Sequence, residues 1–125
     1  VSIDIASGKI NWRTSVEGFR ADHMAVSPDG LRVAVSASSG NVVQVLDIQT
    51  GKELGRFDTG DKPHENIYFA GGTKIINSAI GNVETPMDAS WQDFTKGKRY
   101  LTIADANNYK ILKKIDFRPA LDAFK

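Results

Sequence analysis

Cysteine is absent from the 125 residues, which excludes disulfides, thiolate metal sites and a cysteine nucleophile. An excess of one charge sign is also missing. Sixteen basic side chains stand against 15 acidic ones, for a formal net charge of +1, so no surface suited to nucleic acid or an anionic membrane is expected. No apolar run approaches the roughly 18 residues of a membrane span, and the first residues do not read as a signal peptide. The Asp and Gly residues lack the spacing of an EF-hand loop, and no glycine-rich loop is placed to cradle phosphate.

What remains is the composition of a globular protein, 41% hydrophobic and 25% charged. The length suits one ordinary domain and is too short for two. The chain opens at Val1, without Met, inside an expected strand, and is read as a piece of a longer protein.

Short strands with turn signals fill the sequence. Val1–Lys9 alternates apolar and polar residues and turns at Ser7-Gly8, and Ile10–Val16 returns with Trp12 on it. Ala21–Ser27 is an expected strand, followed by Ser27-Pro28-Asp29-Gly30, a β-turn in which Pro sets φ and Gly closes the bend. Leu31–Ala37 is expected to place Leu31, Val33, Val35 and Ala37 on one face, with Ala34 and Ser36 keeping the other small. Asn41–Ile48 is nearly all apolar, as for a strand covered on both faces. Glu53–Asp58 is more polar and suits an outer edge.

The pattern then repeats. Gly30 and Gly72 lie 42 residues apart, and His23 and His64 lie 41 apart. Asp47-Ile48-Gln49-Thr50-Gly51-Lys52 echoes Asp4-Ile5-Ala6-Ser7-Gly8-Lys9. A period of this size is the signature of a propeller blade or a related array. The second copy runs through Glu65–Phe69 and Thr73–Ile80, after which about 16 extra residues intervene, within Gly81–Lys98, before Arg99–Asp105 and Lys110–Phe117 complete it. Lys96, Lys98 and Arg99 read as a solvated basic group.

Ser27–Asp61 resembles the YVTN-type bacterial β-propeller repeat, carried by Ser27-Pro28-Asp29-Gly30, Val45-Leu46-Asp47, Thr50-Gly51-Lys52 and Gly60-Asp61-Lys62-Pro63-His64. Asp4, Ser7-Gly8-Lys9 and Trp12 are also similar to the repeat of quinoprotein-type propellers, in which Trp docks the blade edge. The resemblance implies an all-β fold of four-stranded antiparallel blades. The chain would then hold a half blade (1–18), a full blade (19–60), a second full blade with an insertion at 81–98 (61–118), and a tail (119–125). About two and a half blades are too few to close a ring of the usual four to eight. A parent of six or seven blades is therefore expected, with the remaining blades outside this chain. The resemblance also implies an exported, periplasmic or extracellular bacterial protein. No quinone-cofactor site accompanies it.

Strand alternation sorts the loops. The Ser27–Gly30 and Thr50–Lys52 turns fall at one end of the sheets, whereas the loops leading into each blade fall at the other. That second rim collects Arg20, Asp22 and His23, then Ser38–Asn41, then His64, Glu65 and Asn66, and the insertion with Asp88 and Trp91. His23 and His64 are expected at equivalent strand starts. They could ligate a divalent metal with Glu65, or one could be a general base oriented by Glu65 or Asp22. The plainer alternative has each histidine bonding backbone in its loop. No cofactor other than such a metal is indicated.

Two functions follow. The first is a propeller scaffold that binds a protein, peptide, glycan or small ligand on this rim. The second is a propeller lyase or hydrolase using His23, His64 and Glu65 in the central channel, with the insertion as a lid.

Overall fold

A computed structural model describes residues 1–82 and 96–116 of the chain. Among these residues every regular element is a strand, and there is no helix. A two-stranded ribbon comes first, β1 (Ser2–Ile3) and β2 (Ile10–Trp12). A four-stranded antiparallel sheet follows, β3 (Ala21–Val26), β4 (Arg32–Ala37), β5 (Val42–Asp47) and β6 (Glu53–Asp58), in sequence order. The second such sheet is β7 (Pro63–Phe69), β8 (Lys74–Ala79), β9 (Tyr100–Asp105) and β10 (Ile111–Asp116).

The central strands of the first sheet are buried on both faces because β4 and β5 carry β-branched or small apolar residues at alternate and intervening positions alike. One face sends Ala34, Val43, Val45 and Phe57 into a core shared with Ile75 and Ala104 of the second sheet. The opposite face sends Val33, Val35 and Leu46 against Trp12 and Val16. The Trp12 indole N–H donates to the Ile48 carbonyl at 3.0 Å, so the ribbon is stitched to the turn between β5 and β6. Leu31 departs from expectation. It is exposed rather than aligned with Val33 and Val35, because its amide caps Asp29 Oδ1 at 3.0 Å and its carbonyl accepts from Ile48. Those bonds place it in the turn, ahead of the strand.

Three Asp-headed turns share one geometry. Asp4 Oδ1 accepts from the Ser7 amide and hydroxyl at 2.7 and 2.6 Å, and Asp47 Oδ1 accepts from both groups of Thr50 at 2.8 Å. Asp105 Oδ1 accepts the amides of Asn107 and Asn108 at 2.8 and 3.1 Å. The fourth residue on is left-handed in each, Gly8 and Gly51 at φ 70° and Tyr109 at φ 62°. A tyrosine accepts this backbone because its ring lies directly on Gly55 of β6, where an added Cβ would come within 2.1 Å of it. Gly55 thus makes room for a ring that stitches the two sheets.

The neck of the insertion is also fixed. Asp61 N donates to Lys98 O, Gly81 N to Asp61 O, and Asn82 N to Lys96 O, at 2.8 to 2.9 Å. Asp61 Oδ2 accepts the Lys98 amide at 2.8 Å. Lys96 is 1% exposed, which corrects its reading as a solvated cation: the closed neck folds it inward. The body of the insertion, 83–95, and the tail, 119–125, lie outside the described residues.

Candidate functional site

The loops separate into two ends, as strand alternation requires. Leu31 and Ile48 are bonded to each other at one end. At the other, Ser39 Oγ accepts the amides of Phe19 and Arg20 at 2.8 and 2.9 Å, and Asn41 Oδ1 accepts the Lys62 amide at 3.0 Å. Pairing then reveals how the two sheets correspond. Arg32 faces Asp47 and Lys74 faces Asp105; Ala21 faces Ala37 and Pro63 faces Ala79. Each position of β3 and β4 therefore matches the one 42 further along. The two histidines, 41 apart, are not equivalents. Asp22 corresponds to His64, and His23 corresponds to Glu65.

Both strands are irregular at this point. Three residue steps from Ala21 to Met24 oppose two on β4, and two steps from Pro63 to Glu65 oppose one on β8. A one-residue bulge re-aims the side chains beside it, and here two bulges sit side by side in adjacent sheets. The result is that each residue meets its own counterpart. His23 Nδ1 lies 2.7 Å from Glu65 Oε2, and His64 Nε2 lies 4.0 Å from Asp22 Oδ1. The pairs are linked in turn, with His23 Nε2 3.7 Å from Asp22 Oδ1 and the imidazole centroids 4.1 Å apart. Arg20 Nη2 approaches the other Asp22 oxygen at 3.8 Å. The bond from His23 holds the Glu65 carboxyl below its ordinary pKa.

Asp22, His23 and His64 each offer a ligand atom within 4.8 Å of the others. The carboxylate of this group is Asp22, whereas Glu65, expected in the ligand set, binds the far side of His23. Neither histidine is tied to loop backbone by the contacts described. Asn66 sits beneath the site, 2% exposed. Its amide donates to Ser36 Oγ at 2.8 Å and to the His23 carbonyl at 3.3 Å, and Asn77 bonds Asn66 Oδ1 at 2.9 Å. A cleft of about 40 Å³ opens beside Asp22, bounded by Arg20, Ser38, Lys62, Ile80 and the neck residues Gly81 and Asn82. Asp88 and Trp91 lie outside the described residues.

Sequence reasoning missed the Ser36–Asn66–Asn77 ladder and the part played by Lys62 and Asn82. The 42-residue offset, applied strictly, would have placed Asn66 opposite Met24 and marked it as a polar residue on an inward strand. No family model matches the chain. It is similar to DNA polymerase I of Borreliella burgdorferi, at 27% identity over 101 residues. The match covers 80% of this chain but 11% of that protein. A likeness of that extent assigns no family.

Proposed function

We propose that the chain is a segment of a YVTN-like β-propeller, and that it is a binding scaffold whose ligand rim is the end carrying His23 and His64. The observation that carries this reading is the correspondence of the two sheets. Two four-stranded units of the same strand order, whose first two strands correspond at an offset of 42 residues, stack face to face and bring matching positions of β3 and β7 into contact at one end. The opposite end uses its polar groups to close its own turns. The rim instead brings together two imidazoles, two carboxylates and Arg20, with a small cleft beside Asp22 and Arg20, a convergence suited to a polar or charged group on a peptide, glycan or small molecule.

The His23–Glu65 pair favours a second reading, because a carboxylate bonded to one imidazole nitrogen leaves the other as a base. A lyase or hydrolase would use it so. The test is a crystal structure of the full-length natural protein together with glycan and peptide arrays. A closed ring of blades, with ligands lost in His23→Ala and His64→Ala but kept in Asp29→Asn, is the expected result. An isolated two-sheet sandwich would overturn the propeller, and ligands indifferent to both histidines would overturn the rim.

A further inference from the structure

We propose that Asp22, His23 and His64 form a binding site for a late first-row divalent cation of the zinc class, with Glu65 as its positioning residue. The proposal deepens the rim reading and rests on it only for the claim that this end faces the ligand.

Both free Nε2 atoms are directed at one oxygen, Asp22 Oδ1, at 3.7 and 4.0 Å. Those distances are too long for hydrogen bonds, so three strong donors converge without bonding one another. A tetrahedral ion with bonds of about 2.1 Å spaces its ligand atoms by about 3.4 Å. Asp22 Oδ1 stands only about 0.3–0.6 Å beyond that spacing from each imidazole nitrogen, and all three ligand atoms lie within 4.8 Å of one another. Two imidazoles and one carboxylate select a zinc-like ion over Mg²⁺ or Ca²⁺, which favour all-oxygen shells.

The surroundings orient each donor. Glu65 accepts from His23 Nδ1, which fixes the proton there and leaves Nε2 to bind the ion, the usual outer partner of a ligating histidine. Arg20 engages Asp22 Oδ2 and leaves Oδ1 toward the imidazoles. The adjacent bulges of β3 and β7 supply the departure from regular pleat that turns these side chains together. Side-chain exposure is 15% for Asp22, 35% for His64 and 49% for His23, so the ion would keep an open position toward solvent and the Arg20–Lys62 cleft. An anionic group entering that cleft could fill it.

The chain contains only these two histidines, which makes the test clean. Untagged full chain is titrated with Co²⁺ as a spectroscopic probe and with Zn²⁺ against a chromophoric chelator. One equivalent is expected to bind, with the intense visible bands of four-coordinate Co²⁺ and with both histidine Nε2 resonances shifted by Zn²⁺. His64→Ala and Asp22→Asn should weaken binding by about a hundredfold or more. Glu65→Gln should weaken it about ten- to a hundredfold, while its His23 Nδ1 resonance shows that the proton is no longer held. Circular dichroism confirms that each variant is folded. A folded wild type that gives only the weak spectrum of hexaaqua Co²⁺, or affinity unchanged in the His23→Ala/His64→Ala double variant, overturns the site. Metal binding in a chain whose parent is not a ring supports the site and overturns only the propeller. Ligands indifferent to both histidines, with the metal still bound there, overturn the rim alone.

Discussion

The two ends of the sheets use the same residue types for opposite purposes. At the turn end, Asp4 and Asp47 spend their oxygens on the amides and hydroxyls of their own loops. The pattern is local, and each copy stands without the other. At the rim, Asp22 and Glu65 reach across from one sheet to the other and meet histidines. Carboxylates satisfied within four residues hold the chain's shape, whereas the Glu65 bond to His23 and the approach of His64 to Asp22 depend on how the sheets meet. Chemistry belongs with the second kind, because only there do groups from distant parts of the sequence converge on one point.

The sharpest way to break this contrast is to damage the turn end. Gly51 has φ +70°, and a Cβ added there would lie 2.5 Å from the Trp12 ring. Gly51→Ala is expected to cost about 2–4 kcal/mol in denaturant unfolding, from left-handed strain plus the displaced indole. Metal affinity of the folded fraction should be unchanged. A smaller effect is expected beneath the rim. Asn77→Ala removes the amide that bonds Ser36, the Glu65 carbonyl and Asn66 and should cost about 1–3 kcal/mol. Because that amide steadies the backbone of Glu65, Co²⁺ affinity should fall as well; a purely thermal effect would confine the ladder to packing.

Acid supplies the next test. The Asp47 carboxyl is held below its ordinary pKa chiefly by the Thr50 amide, and that of Asp4 chiefly by the Ser7 hydroxyl. With folded values below unfolded ones, these bonds contribute stability that is fully present above the usual carboxylate pKa of about 3.9. It is lost as the pH falls through the lower folded values. Unfolding free energies measured from neutral pH into acid should therefore decline less steeply in Asp47→Asn than in the wild type. Identical slopes would mean that the turn carboxylate does not couple to folding. The smallest effect should come from His64→Ala, whose half-exposed ring is expected to change stability by no more than about 0.5 kcal/mol. A loss as large as that of Gly51→Ala would erase the distinction between the two ends.

Much of this organisation is legible from residues alone. Ser27-Pro28-Asp29-Gly30 and the apolar run of β5 announce their turn and strand because the causes are local, and the sorting of loops into two ends follows from strand count. The site was legible only to within one residue. His23 and His64 look like counterparts because their types match, but they lie 41 residues apart whereas strand pairing sets the offset at 42, so Asp22 is the counterpart of His64 and Glu65 that of His23. That is why Asp22, not Glu65, joins the two imidazoles. Tyr109 was opaque for a similar reason: its left-handed backbone is justified by Gly55, 54 positions earlier, and no local rule connects them.

The closed neck at Asp61 makes the insertion an exchangeable cassette. Because Gly81, Asn82, Lys96 and Lys98 are already bonded at its base, the sheet ends where the neck begins. The entropy of joining the neck rises only by about 0.6 kcal/mol for each doubling of the length between. Gly97, whose φ of +74° and close approach to Asp61 admit no side chain, would be the residue to keep. The stretch between 82 and 96 can therefore change in length or sequence without disturbing the bonds that close the neck.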